Sequence, residues 1–217
     1  MAIQVITFVT VLAAVVWLVY YMRAQKPESS VLRWIQEGDY QKAVEEADRQ
    51  LANDPADSAT HLHRAEALKL LGRFSDSASS YREALRLKGV EAAASEGLAL
   101  ALTYLGVDLD QARKLMEGTI QAYPEIQEFQ ALSLAYILLR LDRRDEALRL
   151  FEDHRELLTT RFEMDYTDAD DLLAETVYLF ATLSGEAGDR AEAARLFGKV
   201  KLWAPKSVFA RGVEGIL

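Results

Sequence analysis

Near its C-terminal end the chain reads Gly188-Asp189-Arg190-Ala191-Glu192-Ala193-Ala194-Arg195-Leu196-Phe197, then runs through Val200 to Trp203-Ala204-Pro205. A glycine able to turn the chain precedes a small residue, Ala193. A bulky one, Phe197, follows a helical turn later. Proline closes the stretch, because it cannot continue a helix. Gly38-Asp39-Tyr40, Ala43, Ala47 and Pro55 repeat the same order early in the chain. Two such stretches point to an internal repeat.

The sequence after Pro27 is helical in pattern almost throughout. Apolar residues recur at helical spacing between glycine, proline and Asn/Asp stops. The first two pairs span Ser29–Glu37 with Tyr40–Asn53, and residues 58–71, N-capped by Ser58, with Ser75–Leu87. Glu91–Leu105 with Leu109–Ala122 and Glu125–Leu141 with Asp145–Thr160 follow. After a longer join, Arg161–Thr167, the fifth pair is Asp168–Ala187 with Arg190–Trp203. Ser207 caps a last short helix in which Phe209, Val213 and Ile216 share a stripe.

The small-residue position falls at Ala43, Ser77, Ala112, Ala147 and Ala193, in steps of 34, 35, 35 and 46 residues. Four residues on stand Ala47, Tyr81, Met116, Phe151 and Phe197. Where two helices cross closely only a small side chain fits, and the large one fills the adjacent hole. These helix pairs resemble the tetratricopeptide repeat (TPR) family, whose unit of about 34 residues carries Trp-x2-Leu-Gly-x2-Tyr, then Ala-x3-Phe and a closing Pro. The first helices match less well, with Arg64 standing where leucine is usual. The resemblance implies an all-α, right-handed superhelix of about five hairpins over residues 29–206. Its repeats lie near 24–57, 58–91, 92–126, 127–160 and 174–206, and residues 207–217 form a capping helix over the C-terminal end.

Residues 1–22 contain no charged side chain. As a helix, residues 3–22 would span about 30 Å, the thickness of a bilayer's hydrocarbon core. Trp17, Tyr20 and Tyr21 lie near one end, and Arg23 and Lys26 follow in a short join, 23–28. This reads as an N-terminal transmembrane anchor. Basic residues before the run and a small-x-small cleavage site after it, as in a signal peptide, are both missing. The positive-inside bias places the body in the cytoplasm, in a single-pass protein of the inner (plasma) membrane; the outward-facing orientation is the alternative. Anchor and repeats together also resemble the bacterial lipopolysaccharide assembly protein B group. Its members are longer and carry a cysteine-rich zinc module, which a chain without cysteine lacks.

A formal net charge of −9 opposes binding to phosphate backbones, so no nucleic acid is expected as partner. No cofactor, metal or catalytic residue is assigned, since no nucleotide, metal-protease or nucleophile-elbow motif is present. Of the three histidines, His63 has Glu66 at i+3, a lone pair more in keeping with a surface contact than with acid–base catalysis. Thr167-Asp168-Ala169-Asp170 has capping-box spacing, and first-turn acids suit the helix dipole. Residues 162–186 nevertheless hold seven acids and no Lys or Arg. Asp165, Asp168, Asp170, Asp171 and Glu175 are therefore one candidate surface, for a basic partner segment.

The resemblance puts the first helix of each pair on the inner face. By phase that face carries Leu62, His63, Glu66, Ala101, Tyr104, Phe129, Leu132, Tyr136, Leu139, Arg140 and Tyr178. Such a groove suits an extended or helical peptide, unless the rings only pack between neighbouring helices. Family members that clamp acidic C-termini carry Lys, Asn and Arg there; Glu66, Ala101 and Ser133 do not fit that role. The chain is expected to be a membrane-anchored, non-catalytic scaffold or adaptor for a protein or peptide partner. Its alternatives are an outward-facing envelope assembly or secretion factor and a non-catalytic subunit of an enzyme complex. A reporter fused after Leu217 is expected to be active on the cytoplasmic side; activity only outside would reverse the orientation.

Overall fold

The computed structural model describes residues 29–124, 127–163 and 171–212. Residues 1–22, where the anchor is expected, lie outside them, and among the described residues no helix is long and apolar enough to cross a membrane. Eleven helices and no strand occur among the described residues. They are α1 Ser30–Gln36, α2 Tyr40–Asn53, α3 Ser58–Leu70, α4 Phe74–Leu87, α5 Glu91–Leu105 and α6 Leu109–Ala122. Then come α7 Gln127–Arg140, α8 Arg144–Glu163, α9 Asp171–Glu186, α10 Arg190–Trp203 and α11 Val208–Arg211.

Five hairpins result, α1–α2 to α9–α10, each turned in the same way. The turn residue has positive φ at Gly38 (69°), Gly72 (82°), Gly106 (68°), Asp142 (61°) and Gly188 (96°). The next N–H reaches back to the last turn of the first helix: Asp39 to Trp34 O (2.8 Å), Arg73 to Leu68 O (2.8 Å) and Val107 to Leu102 O (3.2 Å). Arg143 to Leu138 O and Asp189 to Ser184 O, both 2.9 Å, complete the set. A left-handed residue followed by this bond satisfies carbonyls the helix end would leave bare. In the fourth hairpin Asp142 does what glycine does elsewhere, since a short polar side chain tolerates the left-handed region.

The small positions Ala43, Ser77, Ala112, Ala147 and Ala193 are all buried. At the second, the helices are close enough for the Ser77 hydroxyl to donate to Ala65 O at 2.8 Å. Two of the bulky positions reach the next hairpin. Tyr81 of α4 lies against Gly97 of α5, where a Cβ would stand 2.2 Å from the ring. Phe151 of α8 meets Phe180 of α9 with ring centroids 5.3 Å apart. Arg64, out of place for the pattern, ties three helices together: it donates to Asp48 of α2 and to Ser80 of α4, both at 2.6 Å.

Several expectations need correction. Asp57 rather than Ser58 caps α3, its carboxylate accepting from the N–H groups of Ala59 (3.0 Å) and Thr60 (3.3 Å). Helix α8 continues to Glu163, into the expected join, while residues 164–170 lie outside the described set. Ser207 does cap α11, accepting from Ala210 N at 3.3 Å. Phe209 turns into the interior, 5.6 Å from the Tyr104 ring and 5.4 Å from that of Tyr178. The turn before this helix brings Lys206 to 3.9 Å from Asp39, so the last hairpin returns to the first. Val213 and Ile216 lie outside the described residues.

The shared turn makes a paired prediction. Gly72→Val should cost about 1–2 kcal/mol, because a branched side chain resists positive φ, while Asp142→Gly should be neutral or stabilise by up to about 1 kcal/mol. Urea midpoints measured on both, at unchanged slope, decide it.

Candidate functional site

The tyrosines of the expected groove are not open to solvent. Tyr104, Tyr136 and Tyr178 are 0%, 3% and 5% exposed. Tyr104 packs on Phe74 (4.9 Å) and Tyr136 (5.8 Å), and Phe209 covers Tyr104 and Tyr178. Leu132 and Ala101 are buried too, and Phe129 and Leu139 pack on the same core. Arg140, half-buried, ends α7 near Gly106. An aromatic ladder on an inner face buries its area against whatever is nearest. Here that is the chain's own C-terminal helix, so these rings are core and the expected open groove is filled at this level.

What stays open is a cavity of about 380 Å³ nearer the first hairpin, lined from α1, α3, α5 and α9. Leu62, His63 and Glu66 line it as the helical phase leads one to expect, together with Lys69. Helix α1 adds Leu32 and Ile35, α5 adds Ala93, Glu96, Gly97 and Leu100, and α9 adds Glu175 and Thr176. Ala93 is exposed at the rim; Ile35, Lys69, Gly97, Leu100 and Glu175 form a buried floor. Size and largely apolar lining with a few polar groups are those of a ligand pocket.

The floor holds a closed set of ion pairs. Lys69 Nζ lies 2.5 Å from Glu175 Oε2 and 3.0 Å from Glu66 Oε2. The Tyr104 hydroxyl donates to Glu175 Oε1 at 2.8 Å, and the Tyr81 hydroxyl donates to Glu66 Oε1. Glu175 thus belongs to the interior and not to an acidic surface with Asp165, Asp168 and Asp170, which lie outside the described residues. Asp171 opens α9.

Burial alone would pull the Lys69 ammonium down, but Glu175 and Glu66 outweigh it and hold its pKa well above the ordinary lysine value. Burial pushes the Glu175 carboxyl up, against the pull of Lys69. Both tyrosine hydroxyls are pushed well up, mainly by burial, and so stay donors. Glu96 is also raised by burial, partly offset by the Ser133 hydroxyl, which donates to its Oε1 at 3.0 Å. His63 is lowered by burial despite Glu66, which keeps the imidazole neutral at pH 7. Its Nδ1 is buried and makes no hydrogen bond among the described residues.

The other histidines do not join the cavity lining: His61 Nε2 lies 3.1 Å from Pro55 O, and His154 Nδ1 lies 3.0 Å from Leu150 O. Lys69, Glu96, Gly97 and Leu100 escaped the sequence reading. Lys69 had one usable signal, a charge amid Ala65, Ala67, Leu68, Leu70 and Leu71. The meeting of α9 with α3, 106 residues apart between Lys69 and Glu175, had none.

The sequence matches no protein-family model and no curated protein. Solved structures do resemble the chain. MamA from Desulfovibrio magneticus RS-1 is 15% identical with a TM-score of 0.53, over 80% of this chain and 90% of that one. The TPR-like repeats of a putative kinesin light chain from Podosopora anserina are 17% identical with a TM-score of 0.53, over 81% and 92%. YrrB, described as a TPR protein with an unusual peptide-binding site, is 13% identical with a TM-score of 0.50, over 88% and 94%. At such identities the likeness is one of fold, and the fold is that of tetratricopeptide repeat proteins.

Removing the buried cation isolates the carboxylates around it. Lys69→Met should cost about 3–5 kcal/mol at pH 7, as breaking one side of a buried pair does. Without Lys69, the folded pKa of Glu175 moves further above its unfolded value. The folded state then binds more protons than the unfolded one between those two values, so stability falls as pH rises through that window. Thermal melts of the variant are expected to show higher stability at pH 5 than at pH 7.5, by more than in the parent chain.

Proposed function

We propose that this chain is a membrane-anchored, non-catalytic TPR adaptor. It presents the cavity between α1, α3, α5 and α9 to a protein or peptide partner. The observation that carries the reading is a division of the inner face. Phe209 occupies it around Tyr104 and Tyr178, whereas the level of Leu62, His63 and Glu66 is left as a pocket with an exposed rim. Concave, mainly apolar pockets with a few converging polar groups are the common form of binding sites. The comparison with YrrB agrees in kind, since that protein of the same fold is described by its peptide-binding site. Anchoring rests on the uncharged run of residues 1–22 and the basic Arg23 and Lys26 after it, which also favour a cytoplasmic body.

Site-specific photocrosslinking in the native membrane tests this reading. A crosslinker at Leu62 of the full chain should join a discrete partner, and one at the exposed outer position Ser79 should not. Filling the mouth with Ala93→Trp should abolish the Leu62 product while leaving the fold intact by circular dichroism. Products only from Ser79, or a Leu62 product indifferent to Ala93→Trp, would place binding elsewhere. Deleting residues 1–28 should release the protein from the membrane fraction.

A further inference from the structure

The charge inventory of the cavity narrows the kind of partner it takes, an inference that rests on the binding reading above. Both carboxylate oxygens of Glu66 and both of Glu175 already have donors, from Lys69, Tyr81 and Tyr104. Glu96 differs. Its one partner among the described residues is the neutral hydroxyl of Ser133, and no cation among them pairs with it. It stands on α5 beside Gly97, in the wall of the pocket. Three carboxylates therefore share one ammonium.

A second group in the same wall is also unsatisfied. His63 Nδ1 is buried and bonded to nothing among the described residues, and a neutral imidazole can accept there. Buried polar atoms are nearly always paired, so a ligand bringing hydrogen-bond donors meets an existing need. An anionic ligand would be repelled by the excess carboxylate, and a purely apolar one would strip water from Glu96 without replacing it. The rest of the wall is aliphatic, with Leu62 and Leu100 at hand for a methylene chain.

We propose that the cavity receives a basic side chain of a partner peptide, arginine in preference to lysine, with its aliphatic stem against Leu62 and Leu100 and its cation paired with Glu96. Long basic side chains bury the stem and carry the charge at the tip, which matches an apolar wall with an acid in it. A guanidinium has N–H groups enough for a carboxylate and for His63 Nδ1 together, whereas an ammonium is a point charge. The Gly97 position keeps the wall low for a separate reason, because any side chain there would enter the Tyr81 ring.

The test uses the full chain and a set of acetylated, amidated decapeptides with one variable central residue between leucines. The central residue is arginine, lysine, citrulline, leucine or glutamate, and affinity is read by fluorescence anisotropy. The arginine peptide should bind tightest, and citrulline, its uncharged counterpart, about tenfold more weakly, which is about 1.4 kcal/mol. Glu96→Gln should reduce arginine to the level of citrulline and leave citrulline unchanged; if that variant does not fold, the arginine–citrulline contrast on the unaltered chain decides. Equal affinity for the two, or tightest binding of the leucine or glutamate peptide, overturns the proposal. Blocking of that binding by Ala93→Trp would still leave the cavity a peptide site. Binding of none of the five overturns the basic anchor, and the crosslink from Leu62 then decides the broader reading by itself.

Discussion

A lysine taken out of water has to be met by opposite charge, and Lys69 is met from its own helix and from the fifth hairpin. Glu66, one turn earlier on α3, supplies one carboxylate, and Glu175, from the fifth hairpin, supplies the other. A buried pair of this kind adds little net stability, since desolvation offsets most of the attraction. Its effect is on arrangement. Any placement of α9 that leaves Glu175 away from Lys69 strands two charges in a low-dielectric interior. The stack is thereby held where its last first-helix faces its second hairpin, and the Tyr104 hydroxyl fixes the remaining oxygen of Glu175.

Closure of the stack decides what the inner face can do. Repeat proteins of this kind bury a continuous core by stacking, and each unit ordinarily touches only its neighbours. Here α11 crosses that rule, inserting Phe209 among rings from the third and fifth hairpins. The aromatic surface that would otherwise serve a ligand is spent on the fold. The pocket that survives lies beside the Lys69 cluster. The same physics that closes the structure thus sets the position and the chemistry of its opening.

The turns explain why the repeat tolerates so loose a consensus. Each hairpin needs one residue at positive φ followed by a backbone bond to the last helical turn, and Asp142 meets that need as the glycines do. At each crossing a small residue lets the helices approach, and Tyr81 on Gly97 and Phe151 on Phe180 are two ways in which a large one meets the next unit, while the first hairpin has Ala47 at that position. Arg64 departs from the pattern, and Asp48 and Ser80 accept from its guanidinium.

The helices, their pairing and the phase of each packing face were legible in the residue pattern alone. Those depend on periods of a few residues and on turn chemistry, both local. From that phase Leu62, His63 and Glu66 could be placed on the inner face, and they do line the cavity. The pattern could not say that Tyr104, Tyr136 and Tyr178 would be covered, nor that Glu175 would leave the acidic stretch around it for the interior. These depend on how far successive hairpins rotate, a sum of small angles between neighbours that no local pattern encodes. Only the tertiary structure brings Lys69 and Glu175 together and leaves Glu96 in the wall of a cavity, because both depend on contacts between segments far apart in sequence.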